Sequence, residues 1–201
     1  MVRRTPELEM TTHINAGYRP GVFRLIWNML VAFLRKVLGG ETFFVNRFQG
    51  PQGGEVVLAP SLSGHIVHKR LTGSQKLFVQ TGSYLANTGT VDTKVRFGGL
   101  RTLLGGEGLV LLECSGEGDL WVNSYGGVIE IPVDGRFVVD TGHIVAFDGT
   151  LDFKVRGVGG LKSFFFSGEG LVCEFQGRGT VYVQSRNLSS LVGWLSPMLP
   201  A

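Results

Sequence analysis

The chain repeats itself at an interval of about 60 residues, a period at which each repeat is one supersecondary unit that must pack on its neighbours. Lys76-Leu77-Phe78-Val79-Gln80-Thr81-Gly82-Ser83-Tyr84-Leu85-Ala86 aligns with Arg136-Phe137-Val138-Val139-Asp140-Thr141-Gly142-His143-Ile144-Val145-Ala146. Downstream, Asp92-Thr93-Lys94-Val95-Arg96 aligns with Asp152-Phe153-Lys154-Val155-Arg156, and Gly98-Gly99-Leu100-Arg101 with Gly159-Gly160-Leu161-Lys162. A glutamate box follows each time: Gly105-Gly106-Glu107-Gly108 ahead of Leu109–Leu112, and Ser167-Gly168-Glu169-Gly170 ahead of Leu171-Val172-Cys173. A shorter box, Gly39-Gly40-Glu41, precedes Phe43-Phe44-Val45, and Gly53-Gly54-Glu55 precedes Val56–Ala59. The reading is a partial first repeat over residues 39–74, a second over 75–134, and a third with the C-terminal segment over 135–197, all within one domain spanning 1–201.

The repeated text is strand text. Short β-branched and aromatic runs alternate with Gly, Asn, Asp and Pro clusters at the roughly 8 to 12 residue spacing of sandwiches and barrels. The 31 glycines fall singly or in pairs between those runs, as turns do, and 43% apolar residues suffice for a buried core. After Gly116-Glu117-Gly118 and Gly177-Arg178-Gly179 come alternating strands. Period two sets Leu120, Val122 and Ser124 on one face against Trp121 and Asn123, and Val181 and Val183 against Tyr182 and Gln184.

The N-terminal quarter differs. Residues 1–21 are polar, with a short strand expected at Leu8 to Ile14. Residues 22–38 form the one long apolar stretch, rich in Leu, Met and Ala and stopped by Gly39-Gly40, which predicts a helix. Arg24, Asn28, Arg35 and Lys36 interrupt it, short of the roughly 20 apolar residues a spanning helix requires. It also follows too much polar sequence for a signal peptide. Such a helix must dock, on the same domain, on a neighbouring subunit, or as peripheral contact with a membrane surface. A net charge of +3 is too mild for a strong polyanion footprint. Two cysteines, Cys114 and Cys173, make no disulfide framework and suit a reduced compartment.

Taken together, Phe78–Ala86, Gly106-Glu107-Gly108-Leu109, Ser124-Tyr125-Gly126-Gly127, Asp140–Ala146, Val158–Ser163, Phe166–Val172, Val181–Asn187 and the closing Leu191–Pro197 resemble the mitochondrial-biogenesis family of altered-inheritance-of-mitochondria proteins. That family falls in the superfamily named after the tryptophan RNA-binding attenuation protein (TRAP-like). The resemblance implies an all-β, double-stranded β-helix-like fold with internal duplication, and self-association into a homo-oligomer. It also implies a location at the mitochondrial inner membrane for a eukaryotic member, and in the cytoplasm, with contact at the inner membrane, for a bacterial one.

No constellation completes a chemistry. Asp140-Thr141-Gly142 after three apolar residues resembles an aspartic-protease motif, but the aligned position is Gln80, so a monomer lacks the second carboxylate that such chemistry needs. Glu41, Glu107 and Glu169 would form a carboxylate ring for a cation only about a threefold axis, and their flanking glycines suit turns instead. His13, His65, His68 and His143 have no zinc spacing, and neither cysteine has a nearby His. The Gly-x-Gly pairs lie between strands, where no helix N-terminus completes a phosphate cradle. Trp121 and Tyr182 recur at one position but have neutral neighbours, which disfavours nucleic acid. The expectation is a non-enzymatic, self-associating scaffold with no catalytic residues, cofactor or metal. A module binding a small ligand or RNA through Trp121 and Tyr182 is the alternative.

Overall fold

The computed structural model describes residues 1–14, 44–97, 109–157 and 171–199. The predicted helix at 22–38 and the carboxylates Glu41, Glu107 and Glu169 lie outside these residues. What is described is mostly antiparallel β-structure.

One order of elements occurs twice. Strand β5 (Ile66–Gln80) runs into a 3-10 turn at Thr81–Ser83, then β6 (Tyr84–Asn87), β7 (Asp92–Phe97) and the long return strand β8 (Val110–Asn123). Strand β9 (Val128–Asp140) runs into a 3-10 turn at Thr141–His143, then β10 (Ile144–Asp148), β11 (Asp152–Gly157) and β12 (Leu171–Gln184). The registers correspond. Tyr84, Ala86 and Asn87 face Val122, Trp121 and Leu120, and Ile144, Ala146 and Phe147 face Val183, Tyr182 and Val181, each with a bulge at the same place.

The long strands depart from each other at one point. β9 pairs β12 without a slip from Val128↔Gln184 to Asp140↔Val172, turning past Gly135 at φ 108°. β5 pairs β8 with a register shift between Thr72 and Lys76, where it carries Gly73-Ser74-Gln75 and Gly73 takes φ 88°. Extra residues on one strand of an antiparallel pair bulge outward and let the pairing resume beyond them.

The halves join through β10, which pairs β12 on one side and β5 on the other, with Ala146, Phe147 and Asp148 facing Val79, Phe78 and Leu77. The sheet order is therefore β11-β12-β10-β5-β8-β6, with β7 also on β8 and β9 also on β12. The described N-terminal residues add two short ladders. β1 (Arg3–Arg4) pairs β4 (Val56–Val57), and β2 (Glu9–Ile14) pairs β3 (Phe44–Gln49).

Two apolar clusters fill the main sheet. One gathers Leu77, Val79, Leu112, Cys114, Leu120 and Val122 with Val145 and Ala146 from the second half. The other gathers Phe147, Cys173, Phe175, Val181 and Val183 with Leu109 and Leu111 from the first. Phe147 sits at the centre of the second cluster, stacked on Phe78 at 5.1 Å and edge-on to Phe175 at 4.8 Å, geometries that aromatic quadrupoles favour. Each half thus donates side chains to the other's core.

The chain closes with a helix the sequence reading lacks: α1, Leu188–Leu195, capped by the Asn187 side chain accepting from the Ser190 N–H, followed by a 3-10 turn at Ser196–Met198. Asn before an apolar run is an N-cap signal.

Candidate functional site

The Gly-x-Gly pairs serve the backbone. Thr88 and Thr90 donate their N–H groups to the carbonyls of Asp119 and Glu117 at 2.8 Å, so the turn between β6 and β7 lies flat across β8. Gly116, at φ 116°, faces the Thr90 carbonyl and Gly118 the Thr88 carbonyl so closely that neither position has room for a methyl group. In the second half the turn at Thr150 lies across Gly177 and Gly179. The side chains that pin each turn are exchanged: Thr88 donates to Asp119, whereas Asp148 accepts from the N–H of Thr180.

Asp140 accepts from the N–H of Gly142 at 2.7 Å, capping the 3-10 turn. His143 bonds the Gln184 carbonyl through Nδ1 at 2.7 Å, and the Gln184 amide donates to the Gly142 carbonyl at 2.9 Å. Asn123 donates to the Gly82 carbonyl in the first half. Thus Asn123 and Gln184, aligned in the sequence, each tie a long strand to its Thr-Gly turn.

Two ion triads recur at aligned positions, and sequence reasoning missed both. Glu113 is buried between Arg96 at 2.7 Å and Lys76 at 3.2 Å. Glu174 is held by Arg136 at 2.6 Å and Arg156 at 3.0 Å. The Arg96 guanidinium, backed by Lys76, holds the Glu113 carboxyl below the usual range against the opposing effect of burial; Arg136 does the same for Glu174. The signal was available: Lys76/Arg136 and Arg96/Arg156 were aligned, and each needed an acid on the strand between.

The remaining polar cluster lies on the outer face of β5 and β8. Asp119 accepts from Arg70 at 2.7 Å and bonds His68 at 2.8 Å, contacts that lower its pKa, His68 first. His68 in turn stacks on the half-buried Trp121 at 5.3 Å. Tyr182, the aligned aromatic, is buried with Lys69 Nζ 4.5 Å above its ring. The two aromatics therefore do not form one surface. Burial pushes both Cys114 and Cys173 up to about 12, so neither is a thiolate near neutral pH. Among the described residues, no group of three or more His, Cys, Asp or Glu converges as a metal site.

Among the described residues, the exposed apolar surface is concentrated elsewhere. In α1 and the turn after it, Leu188, Leu191, Val192, Trp194, Leu195 and Met198 are all exposed, Trp194 at 63%. No residue from Asn187 to Ala201 carries a charged side chain. Among the described residues, no helix is long and apolar enough to cross a membrane.

Comparison with known proteins bears on the fold and the family. The chain is similar to an uncharacterized protein of Streptococcus pyogenes serotype M6, 31% identical over 203 residues that cover 100% of this chain and 79% of that protein. Its fold is similar to a crystal structure of a Streptococcus pyogenes protein, with a TM-score of 0.76 and 28% identity, covering 99% of this chain and 86% of the other. The family model for mitochondrial biogenesis AIM24 matches residues 1–186, and the chain belongs to that family.

Proposed function

We propose that this protein is a non-enzymatic, self-associating β scaffold that organises partners, and that its two halves are copies of one unit. The observation that carries the reading is where the polar and apolar groups go. Asp140, His143, Gln184, Glu113, Glu174 and Asp119 are each engaged within the chain by turn caps, strand ties or ion triads. The uncharged C-terminal helix, by contrast, turns a large apolar surface outward, and surfaces of that kind mark sites of association. Light scattering of the purified chain should give a discrete oligomer at micromolar concentration; a clean monomer sinks the proposal. Peripheral contact with a membrane through residues 22–38 belongs to the same reading. Liposome flotation tests it, and flotation unchanged by deleting those residues removes it.

A second reading rests on the stack of the exposed His68 on the half-buried Trp121 beside Arg70, an aromatic and cationic group that a planar or anionic ligand could meet. Replacing Trp121 with Ala should then abolish retention of RNA or small-ligand probes while the fold persists. A scaffold role predicts no such loss.

A further inference from the structure

The two halves differ in which strand edges are covered, and the difference has the form of an incomplete joint. In the first half the free edge of β5 takes β10 at Leu77, Phe78 and Val79. In the second half the aligned edge, Phe137, Val138 and Val139 of β9, pairs only with β12 on its other side among the described residues. The exposures follow: Leu77 and Val79 are buried, whereas Phe137 and Val139 are half-buried and Val138 is 41% exposed.

The opposite piece of the joint is also uncovered. β10 lies between β12 and β5, and Ile144, Val145, Ala146 and Phe147 are fully buried. β6, which holds the corresponding register on β8, has no strand on its outer side among the described residues, and all four of its residues are half-buried. Among the described residues the chain therefore carries one unpaired acceptor edge and one unpaired donor strand, each the counterpart of a piece that is paired within the molecule.

The protection of β9 stops where that acceptor begins. Folded proteins blunt free edges with charge, Pro and Gly. β9 carries Glu130, Pro132, Asp134, Gly135 and Arg136 along its first part, then three uncharged apolar residues in succession. Those three positions are the ones that β10 covers in β5.

We propose that β6 of a second copy adds to the β9 edge, continuing the internal β5–β10 junction, with Ala86 opposite Val139, Asn87 opposite Val138 and Thr88 opposite Phe137. This rests on the reading of the chain as self-associating and names a strand-edge surface besides the apolar face of α1. A second copy is the occupant because one contact closes both edges; β1 of the same chain could cover only β9 and would leave β6 open. The interface is heterologous, so it propagates from copy to copy unless rotation closes a ring.

Cysteine cross-linking tests the register. Directly opposed residues in an antiparallel pair approach to roughly 4.5–5.5 Å between Cα atoms, within disulfide reach. The single variants Ala86→Cys and Val139→Cys, mixed and oxidised, should give a two-chain band that neither gives alone and that reduction removes. Cys114 and Cys173 are buried and stay out of the reaction. Val138→Glu, at an exposed position, should raise the dissociation constant at least tenfold with an unchanged circular dichroism spectrum. An oligomer by light scattering without the mixed cross-link overturns the joint and leaves self-association standing. A monomer overturns both. A cross-link of Val139→Cys to Arg3→Cys within one chain also overturns the joint, because β1 would then occupy the edge.

Discussion

Asp140 and the Gly-x-Gly pairs show how a motif that looks chemical resolves into backbone geometry. Asp140 caps a three-residue turn, and the Gln80 amide lies beside Gly82 at the aligned place. Asp140→Ala should cost about 1 kcal/mol, the usual value of a lost cap, and Asp140→Asn much less, by urea denaturation. Gly116 faces the Thr90 carbonyl with a positive φ. Gly116→Ala should therefore destabilise by about 2–4 kcal/mol, the sum of backbone strain and a displaced turn. Gly73→Ala, which meets nothing within 4 Å, should cost only about 1 kcal/mol of backbone strain. The thiols have their own test: a disulfide-exchange reagent at neutral pH should titrate no cysteine in the native chain and two in denaturant.

At the scale of the element, the ion triads hold three strands together across β8 and across β12. Both glutamates have carboxyl pKa values below their unfolded values, so the stability they contribute is present above the unfolded carboxylate range and is lost as pH falls through the folded values. Acid unfolding should therefore be less steep in Glu113→Gln than in the parent, read as the change in urea midpoint between neutral pH and pH 3. The exchanged pins make a sharper test. Thr180→Asp sets a carboxylate against Asp148 and should destabilise; adding Asp148→Thr should recover half or more of the loss, since it recreates the Thr88–Asp119 arrangement. These pairs also show what could be read in advance. Alternation at the end of β8 and into the next residue was legible: Leu120, Val122 and Ser124 are buried and Trp121 is not. The burial of Asn123 and Tyr182 was not, because each is covered by something distant in the chain: the Gly82 turn over Asn123 and Lys69 over Tyr182. Period-two reading sees one sheet face at a time and cannot register a second layer on the other. Glu113 escaped for a related reason, since a carboxylate in an apolar run reads as an error until its two basic partners are brought across the strands.

For the whole molecule, the all-β architecture was the most legible feature, because the alignment of 75–134 with 135–197 fixes where strands and turns recur. Helix α1 was not read: Asn187 and Leu191–Pro197 entered only as part of a resemblance to an all-β family. Removing residues 188–201 should leave the melting temperature within about 3 °C, because no residue of α1 is buried. The same truncation should lower the oligomer mass by light scattering, because it removes the apolar surface that α1 turns outward.

Strand β10 belongs to both halves at once. It closes the β12 ladder on one side and the β5 ladder on the other, and its neighbours Ala146 and Phe147 enter different apolar clusters. The halves are therefore welded along one shared seam, and neither can open there without loosening the other.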